Sequence, residues 1–167
     1  IMPYLRVANV LFDKLDLAEI TKIGVTEKEA KDKLLKRGDV LFVEGNGSQD
    51  QIGRVAMWDG SLEPMLHQNH LIRVRANQDV LLPGFILHYF MSPAGRRQIL
   101  DAAVSTSGLF TLSTGKIGKF KCPIPPLALQ QRFAAFAAEV DKSKFAVQQE
   151  IEKLETLKQS LMQKYFA

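Results

Sequence analysis

A run of 41 residues at the C-terminal end, residues 127–167, contains neither glycine nor proline and constrains the fold more than any other feature. It follows directly on Cys122-Pro123-Ile124-Pro125-Pro126. Apolar residues recur in it at steps of three and four, which places one narrow apolar stripe along a single helix. At about 1.5 Å per residue such a helix extends roughly 60 Å, more than the width of a small domain. The run therefore predicts a spacer or a pairing device.

The apolar stripe of this helix predicts a coiled coil from Val147 onward. Lys144 and Lys158 fall within the stripe, where polar residues fix register or orientation. The usual explanation for such a stripe is a helix that packs on its own domain, and the length of the run argues against that alternative. The predicted interface of the helix consists of Val140, Val147, Ile151, Leu154, Leu157 and Leu161.

Residues 1–124 are predicted to form one domain, and residues 125–167 the hinge and the helix that follow it. Helical and strand-like segments are interspersed in the domain without a regular βαβ repeat, which favours an α+β fold with a mixed sheet. Because Ile1 leads almost directly into a strand, we expect part of this domain to precede the sequence. The predicted elements are a strand at 4–10, a helix from the capping box at Thr26, strands at 39–43, 54–58 and 70–75, helices from Pro83 and Pro93, a polar loop at 105–108 and a last strand within 115–124.

Cysteine usage and hydropathy exclude several classes of protein. The single cysteine, Cys122, excludes an intrachain disulfide and a thiolate metal cluster. No apolar stretch approaches the length of about 18 residues that a membrane span needs, and no secretory signal is visible. We therefore expect a cytoplasmic protein without a membrane partner.

No motif in the sequence predicts catalysis, a metal or a cofactor. His67 and His70 have a spacing that metal ligands use, but no third histidine or cysteine lies near them in the sequence. Gly45-Asn46-Gly47 lacks the third glycine of a dinucleotide-binding loop. Thr114-Gly115-Lys116 is followed by Ile117, where a phosphate-binding loop needs serine or threonine. We expect a chain without catalytic residues, metal or cofactor.

Charge and loop composition favour nucleic acid as a partner. Between Gly60 and Pro126 there are seven basic and three acidic residues, whereas the long helix is nearly balanced. Asn, Gln, Arg, Ser and Thr pair with base edges or phosphates, and glycine lets backbone amides approach phosphates closely. The alternative is that polar, glycine-rich loops are ordinary connections between strands. The candidate DNA-binding residues cluster at predicted strand ends and loops: Arg6, Asn9, Asn46, Gly47, Ser48, Gln49, Gln51, Arg54, Gln68, Asn69, Thr106 and Ser107.

Several segments, in one order along nearly the whole chain, resemble a known family. They are residues 4–10, 38–42, 47–48, 52–54, 123–127 with the glutamines at 130 and 131, and 154–162. Each segment is weak by itself, and the ordered set resembles the specificity subunit of type I restriction-modification enzymes. In that family a target-recognition domain reads one half of a split DNA site. A long helix follows each domain and packs antiparallel on its counterpart.

The resemblance implies that residues 1–124 recognise one DNA half-site and that the helix sets the distance to a second recognition domain. The implied partners are double-stranded DNA, the modification (methyltransferase) subunits and, through them, the restriction subunit, with all catalysis in those subunits. The family carries two domains and two helices, whereas this chain carries one of each. It is then either a fragment or a half-size subunit that pairs with a second copy or another half-subunit.

Within this interpretation, Arg6 and Arg54 are expected to contact phosphate or guanine, and Asn46, Gln49 and Gln51 to contact base edges. Two rival hypotheses stay open. One is a protein-interaction module whose helix dimerises without sequence-specific DNA binding. The other is a recognition module excised from a single-chain methyltransferase-nuclease, against which the long terminal helix argues.

Overall fold

The computed structural model describes residues 1–106 and 108–166, and within these residues three small sheets and four short α-helices precede one long helix. The chain divides into two compact units, Ile1–Leu127 and the residues that follow. The strands are β1 (Met2–Leu5), β2 (Thr21–Ile23), β3 (Val40–Val43), β4 (Gly45–Asn46), β5 (Val55–Met57), β6 (Leu66–His67), β7 (Leu71–Val74), β8 (Val104–Thr106) and β9 (Leu109–Thr111). The helices are α1 (Glu27–Lys33), α2 (Pro83–Met91), α3 (Pro93–Ala102), α4 (Thr114–Ile117) and α5 (Leu127–Phe166).

The three sheets differ in strand direction. The central sheet has the order β5-β3-β7 and is antiparallel, with Phe42 of β3 opposite Val55 and Ile72. The second sheet, β2-β1-β6, is mixed, because β1 runs antiparallel to β2 and parallel to β6. The third sheet, β4-β9-β8, is antiparallel. Together with the interspersed helices, this arrangement confirms the predicted α+β fold with a mixed sheet.

The central strand β3 separates two apolar cores. All four of its residues are apolar and buried, and side chains alternate between the two faces of a strand. Val40 and Phe42 pack in the core that contains α2 and α3, where Phe42 meets Phe90 edge-to-face with ring centroids 5.3 Å apart. Leu41 and Val43 lie in the other core, with Leu5, Val10 and Trp58. Because β3 is buried on both faces, all four of its residues are apolar. This unbroken apolar run is the signal from which the sequence predicts the strand at 39–43.

The predicted strand at 4–10 is wrong beyond Leu5. After β1 the chain enters a 3-10 turn, Val7–Asn9. The side chain of Asn9 stabilises this turn, because its Oδ1 accepts a hydrogen bond from the Arg6 amide at 2.8 Å. The turn ends the pairing of β1 and redirects the chain toward the isolated bridge between Val10 and Leu15.

The predicted last strand within 115–124 is also wrong. Residues 114–117 form the short helix α4, whose N-cap Ser113 accepts a hydrogen bond from the Lys116 amide at 3.3 Å. The predicted polar loop at 105–108 begins later than expected, since Ser105 and Thr106 belong to β8. Ser107 lies outside the described residues.

Both predicted helix starts near the centre of the chain are confirmed. Pro83 stands at the beginning of α2 and Pro93 at the beginning of α3, a position where proline's missing amide is not needed. Ser92 ends α2 and caps α3, because its Oγ accepts a hydrogen bond from the Gly95 amide at 3.4 Å. The two helices therefore form a tight pair over one face of the central sheet.

The second unit is the long helix that the sequence predicts. Helix α5 contains 40 residues without interruption and so extends roughly 60 Å. Ion pairs one turn apart lie on its surface, among them Lys142 with Glu139 at 3.0 Å and Lys153 with Glu150 at 2.7 Å. Among the helices of the described residues, none is at once long and apolar enough to cross a membrane.

Candidate nucleic-acid interface

Three of the candidate residues are linked through the backbone of Val7 in the turn after β1, two by direct hydrogen bonds and Gln51 through Arg54. Gln68 Oε1 accepts a hydrogen bond from the Val7 amide at 3.3 Å. Arg54 Nη2 donates to the Val7 carbonyl oxygen at 3.2 Å, and Arg54 Nη1 donates to Gln51 Oε1 at 3.4 Å. The fold therefore brings residues from three separate segments of the sequence into one cluster, which we call the Val7 cluster: Gln51, Arg54, Gln68 and Val7.

Arg6 and Asn9 flank this cluster at different depths. Arg6 is half-buried, and its Nη2 forms an ion pair with Glu19 Oε1 at 2.9 Å. Asn9 is only 4% exposed, and its Nδ2 donates to the carbonyl oxygens of Asp16 and Glu19 at 2.8 and 3.0 Å. The amide group of Asn9 is thus engaged inside the domain, where it fixes the loop between β1 and β2.

The glycine-rich segment that starts at the last residue of β4 and leads to β5, residues 46–53, forms a tight and hydrogen-bonded loop. Asn46 Oδ1 accepts from the Ser48 amide at 2.9 Å, and the Ser48 carbonyl oxygen accepts from the amides of Gln51 and Ile52 at 3.1 Å each. Gly53 has a φ of +61°, and a Cβ there would clash with Ile99 Cγ2. The tip of the loop is exposed and consists of Gly47, Ser48, Gln49 and Asp50.

Arg96 of α3 contacts this loop from the inner side. Its Nη1 donates to the carbonyl oxygens of Ile52 at 2.5 Å and Gly53 at 3.4 Å. Its Nη2 donates to those of Asp50 at 3.1 Å and Gln49 at 3.4 Å. The sequence carries no signal for this role, because 44 residues separate Arg96 from Ile52 and only the packing of α3 brings them together.

The third sheet connects the loop to the β8–β9 hairpin. Asn46 of β4 lies opposite Phe110 of β9, and Ser105 of β8 lies opposite the same residue. Because β4 and β9 are antiparallel, the chain leaves Asn46 at the end of the sheet where β9 begins. Thr106, in β8, pairs with Leu109 at that same end. Asn46, Thr106 and Leu109 therefore lie at the same end of the third sheet.

Asn69 lies in the turn between β6 and β7 and is exposed. In the neighbouring residue, His70, the carbonyl oxygen accepts a hydrogen bond from the Glu44 amide at 2.9 Å. The His70 Nδ1 lies 3.0 Å from Glu44 Oε2. Glu44 directly precedes β4, so the β6–β7 turn is tied to the start of the glycine-rich segment. The candidates at 46–51, 54 and 68–69 thus belong to one connected part of the first unit.

Two guanidinium groups place positive charge behind the exposed loop. Burial lowers the pKa of Arg54, and it lowers the pKa of Arg96 against the opposing effect of Asp50. Both groups stay protonated at neutral pH, since arginine does not lose its proton in proteins. The hydrogen-bond acceptors of both are neutral carbonyl and amide oxygens. Both cations thus keep neutral hydrogen-bond acceptors, and the one carboxylate that acts on Arg96 in this loop is that of Asp50.

The two histidines of the sequence-level metal spacing do not converge. His67 is buried, its Nδ1 lies 3.1 Å from the Gln68 carbonyl oxygen, and burial lowers its pKa. His70 is exposed and faces Glu44. In residues 1–106 and 108–166, no group of three or more His, Cys, Asp or Glu side chains is placed to hold a metal ion.

Comparison with known proteins assigns the chain to a family. The model of the type I restriction modification DNA specificity domain matches residues 2–158, and the chain belongs to this family. The chain is 30% identical to the type I restriction enzyme EcoKI specificity subunit of Escherichia coli, over 98% of its own length and 36% of that subunit. It is 29% identical to a protein of Methanocaldococcus jannaschii described provisionally as the type I restriction enzyme MjaX specificity subunit, over 98% of this chain and 39% of that protein.

Solved structures share the fold at lower sequence identity. The crystal structure of the HsdS subunit from Thermoanaerobacter tengcongensis matches with a TM-score of 0.71 and 16% identity, over 98% of this chain and 41% of that one. A chain from a study of complex assembly in the type I R-M system matches with a TM-score of 0.72, over 99% of this chain and 42% of that one. The chain therefore spans about two fifths of the length of each relative and structural match.

Proposed function

We propose that this chain binds double-stranded DNA in a sequence-specific manner and reads one half of a bipartite site. Residues 1–124 form the recognition domain in this proposal, and residues 125–167 form the spacer. The structural observation that carries the proposal is the 46–53 loop, whose exposed polar tip is backed by two arginines with neutral acceptors. The names of the relatives, type I restriction enzyme specificity subunits, support the same function.

The candidate residues take different roles according to their burial. Ser48, Gln49 and Asn69 are exposed and offer hydroxyl and amide groups to base edges or phosphates. Asn46 is half-buried and holds the loop, and Gly47 lets the backbone approach the DNA closely. The half-buried side chains at the floor of the surface add positive charge and amide groups: Arg6, Gln51, Arg54 and Gln68. Asn9 supports the interface from inside the domain, and Thr106 and Ser107 extend it.

The long helix sets the distance between two recognition domains in this proposal. At 3.6 residues per turn, the predicted interface residues fall within a sector of about 120° on α5. Leu154 is 64% exposed, and Val147, Ile151, Leu157 and Leu161 are also exposed. An apolar stripe of this kind pairs with a second helix, from another copy of this chain or from another half-subunit, and the pairing is antiparallel. Methyl transfer and cleavage belong to the modification and restriction subunits.

Selection of bound duplexes from a random pool tests the DNA-binding proposal. The full chain is expected to enrich one short motif, because base-edge contacts cost about 1–3 kcal/mol when the base is wrong. A variant with Asn46, Gln49 and Gln51 changed to alanine is expected to lose the enrichment. Asn77→Ala is the matched control, since Asn77 Oδ1 accepts from the Asp79 amide at 3.1 Å in the same type of turn, outside the proposed surface.

Two results would contradict the proposal. Absence of any enriched motif for the wild-type chain would favour the protein-interaction module. Retention of the motif by the triple-alanine variant would remove the 46–53 loop from the recognition surface.

Sedimentation of helix variants tests the pairing proposal. Leu154→Asp places a charge in the apolar stripe and is expected to shift the chain to a lower mass. Phe145→Asp is the matched control, because Phe145 is 66% exposed and points away from the stripe on the opposite side of the helix. Equal masses for the Leu154→Asp variant and the wild type would reject pairing through this stripe.

A further inference from the structure

We propose that Arg96 is a positioning residue that holds the 46–53 loop in the conformation that reads DNA. The inference rests on the proposed function, because it concerns the same recognition surface. Arg96 itself lies behind the loop, and the residues that it positions are Ser48, Gln49 and Gln51.

The geometry is that of a clamp on the loop backbone. One guanidinium group donates to four carbonyl oxygens between Gln49 and Gly53, with two shorter distances, to Ile52 and Asp50, and two longer ones, to Gly53 and Gln49. The planar guanidinium presents several N–H donors in a fixed fork, and this matches a curved row of carbonyl oxygens. The compact ammonium group of lysine has no such fork, so it cannot hold all four carbonyls at once.

The clamp is anchored in a rigid part of the domain. The Arg96 amide donates to the Ser92 carbonyl oxygen at 2.8 Å in the first turn of α3, and Ile99 on the same helix is fully buried. The Arg96 guanidinium also lies 5.3 Å from the centre of the Phe12 ring, a distance typical of a cation–π contact. The loop that Arg96 binds is therefore held in a fixed position relative to the helix pair α2–α3.

The neighbouring Arg97 provides a matched comparison on the same helix. Arg97 is exposed and pairs with Asp101 one turn away, with Nε 3.1 Å from Asp101 Oδ1. Replacement of either arginine by alanine removes one positive charge from the domain. Only replacement of Arg96 removes the backbone contacts of the loop.

The test compares the wild type with Arg96→Ala, Arg96→Lys and Arg97→Ala in the full chain. Affinity is measured for the selected duplex and for a scrambled duplex over a range of salt concentrations. We expect Arg96→Ala to lower the affinity for the selected duplex about 10- to 100-fold, the discrimination that one good base contact supplies. The affinity for the scrambled duplex should fall no further than in Arg97→Ala. Arg96→Lys should keep the salt dependence of the wild type and still lose discrimination.

A second measurement is independent of DNA. Amide hydrogen exchange in the unbound chain is expected to accelerate at residues 49–53 in Arg96→Ala and to stay unchanged there in Arg97→Ala. Unchanged amide exchange at residues 49–53 in Arg96→Ala would overturn the proposed clamp. Full discrimination between the selected and scrambled duplexes by Arg96→Lys would also overturn it, because the positive charge would then be the only contribution of Arg96. If the wild type shows no preference for any duplex, the DNA-binding proposal fails, and the exchange data alone decide whether Arg96 holds the loop.

Discussion

Arg54 and Val7 are 47 residues apart in the chain, and a hydrogen bond of 3.2 Å from Arg54 Nη2 to the Val7 carbonyl oxygen joins them. The amide of the same Val7 donates to Gln68 Oε1. The two peptide groups on either side of the Val7 Cα are therefore each held by a side chain from another segment. These two hydrogen bonds connect the turn after β1 to the residue that precedes β5 and to the β6–β7 turn.

The double attachment of Val7 predicts coupled effects on stability. Arg54→Ala and Gln68→Ala should each lower the free energy of unfolding by about 1 kcal/mol, because each removes a hydrogen bond to a partly buried peptide group. Once one bond is lost the turn moves, so the second substitution should cost less. Urea unfolding of both single variants and the double variant measures the coupling, which we expect to exceed about 0.5 kcal/mol. Additive effects within the error of the method would contradict it.

A matched cycle uses Asn69→Ala in place of Gln68→Ala. Asn69 is exposed, adjacent in sequence and in the same turn. The change in unfolding free energy caused by Asn69→Ala should add to the change caused by Arg54→Ala, without coupling between the two.

Elements built from neighbouring residues were predictable from the sequence. The capping box at Thr26 is present, with Thr26 Oγ1 accepting from the Glu29 amide at 3.2 Å and Glu29 Oε2 accepting from the Thr26 amide at 2.8 Å. The helix starts at Pro83 and Pro93 and the long helix α5 are likewise set by residues within one or two turns. Such signals depend on local geometry alone, and they are readable without knowledge of the tertiary structure.

Contacts between distant segments were not predictable. The strand-like segment at 4–10 gives no sign of the turn at Val7–Asn9, because the Asn9 side chain that stabilises the turn is itself held by the carbonyl oxygens of Asp16 and Glu19. The polar segment at 105–108 hides β8, which pairs with the short strand β9. Arg96 looks like any surface arginine until α3 is packed beside the 46–53 loop. The sequence groups the candidate site residues only by predicted loop, and their burial became clear only with the fold.

The close approach of α2 and α3 predicts opposite behaviour for two glycines. A Cβ at Gly95 would lie 2.6 Å from Phe90 Cα and would also meet the Tyr89 carbonyl oxygen, whereas nothing lies within 4 Å of a Cβ at Gly84. Gly95→Ala should lower the free energy of unfolding by about 1–3 kcal/mol through overpacking. Gly84→Ala should leave it unchanged or raise it by up to about 1 kcal/mol, since alanine favours helix. Thermal unfolding compares the two variants. Equal stabilities would show that α2 and α3 can move apart to accept the added methyl group without cost.

The ion pair of Asp39 and Arg75 should matter more than an exposed pair. Asp39 is 1% exposed, and its carboxylate accepts two hydrogen bonds of 2.6 Å from Arg75 and one of 2.7 Å from the Lys36 amide. Arg75→Ala leaves this buried carboxylate without its cation, and because the Arg75 side chain is itself 39% exposed we expect a loss of about 1–3 kcal/mol of unfolding free energy.

The control for that variant is Arg97→Ala. It breaks the exposed pair with Asp101 and should cost less than about 0.5 kcal/mol in the same urea titration. A loss for Arg75→Ala as small as that of Arg97→Ala would mean that water replaces the guanidinium at Asp39.

Burial of His67 makes the stability of the first unit depend on pH. Burial, chiefly, and the nearby charges of Lys33 and Arg73 lower the pKa of His67 below its usual value of 6.5. The unfolded chain therefore binds a proton at this position at a higher pH than the folded chain, and the free energy of unfolding falls as the pH drops below 6.5. His67→Gln removes this contribution. The free energy of unfolding of this variant, relative to that of the wild type, should therefore increase as the pH is lowered from about 7.5 to about 5.5. A difference between His67→Gln and the wild type that is constant with pH would show that the histidine is protonated equally in both states.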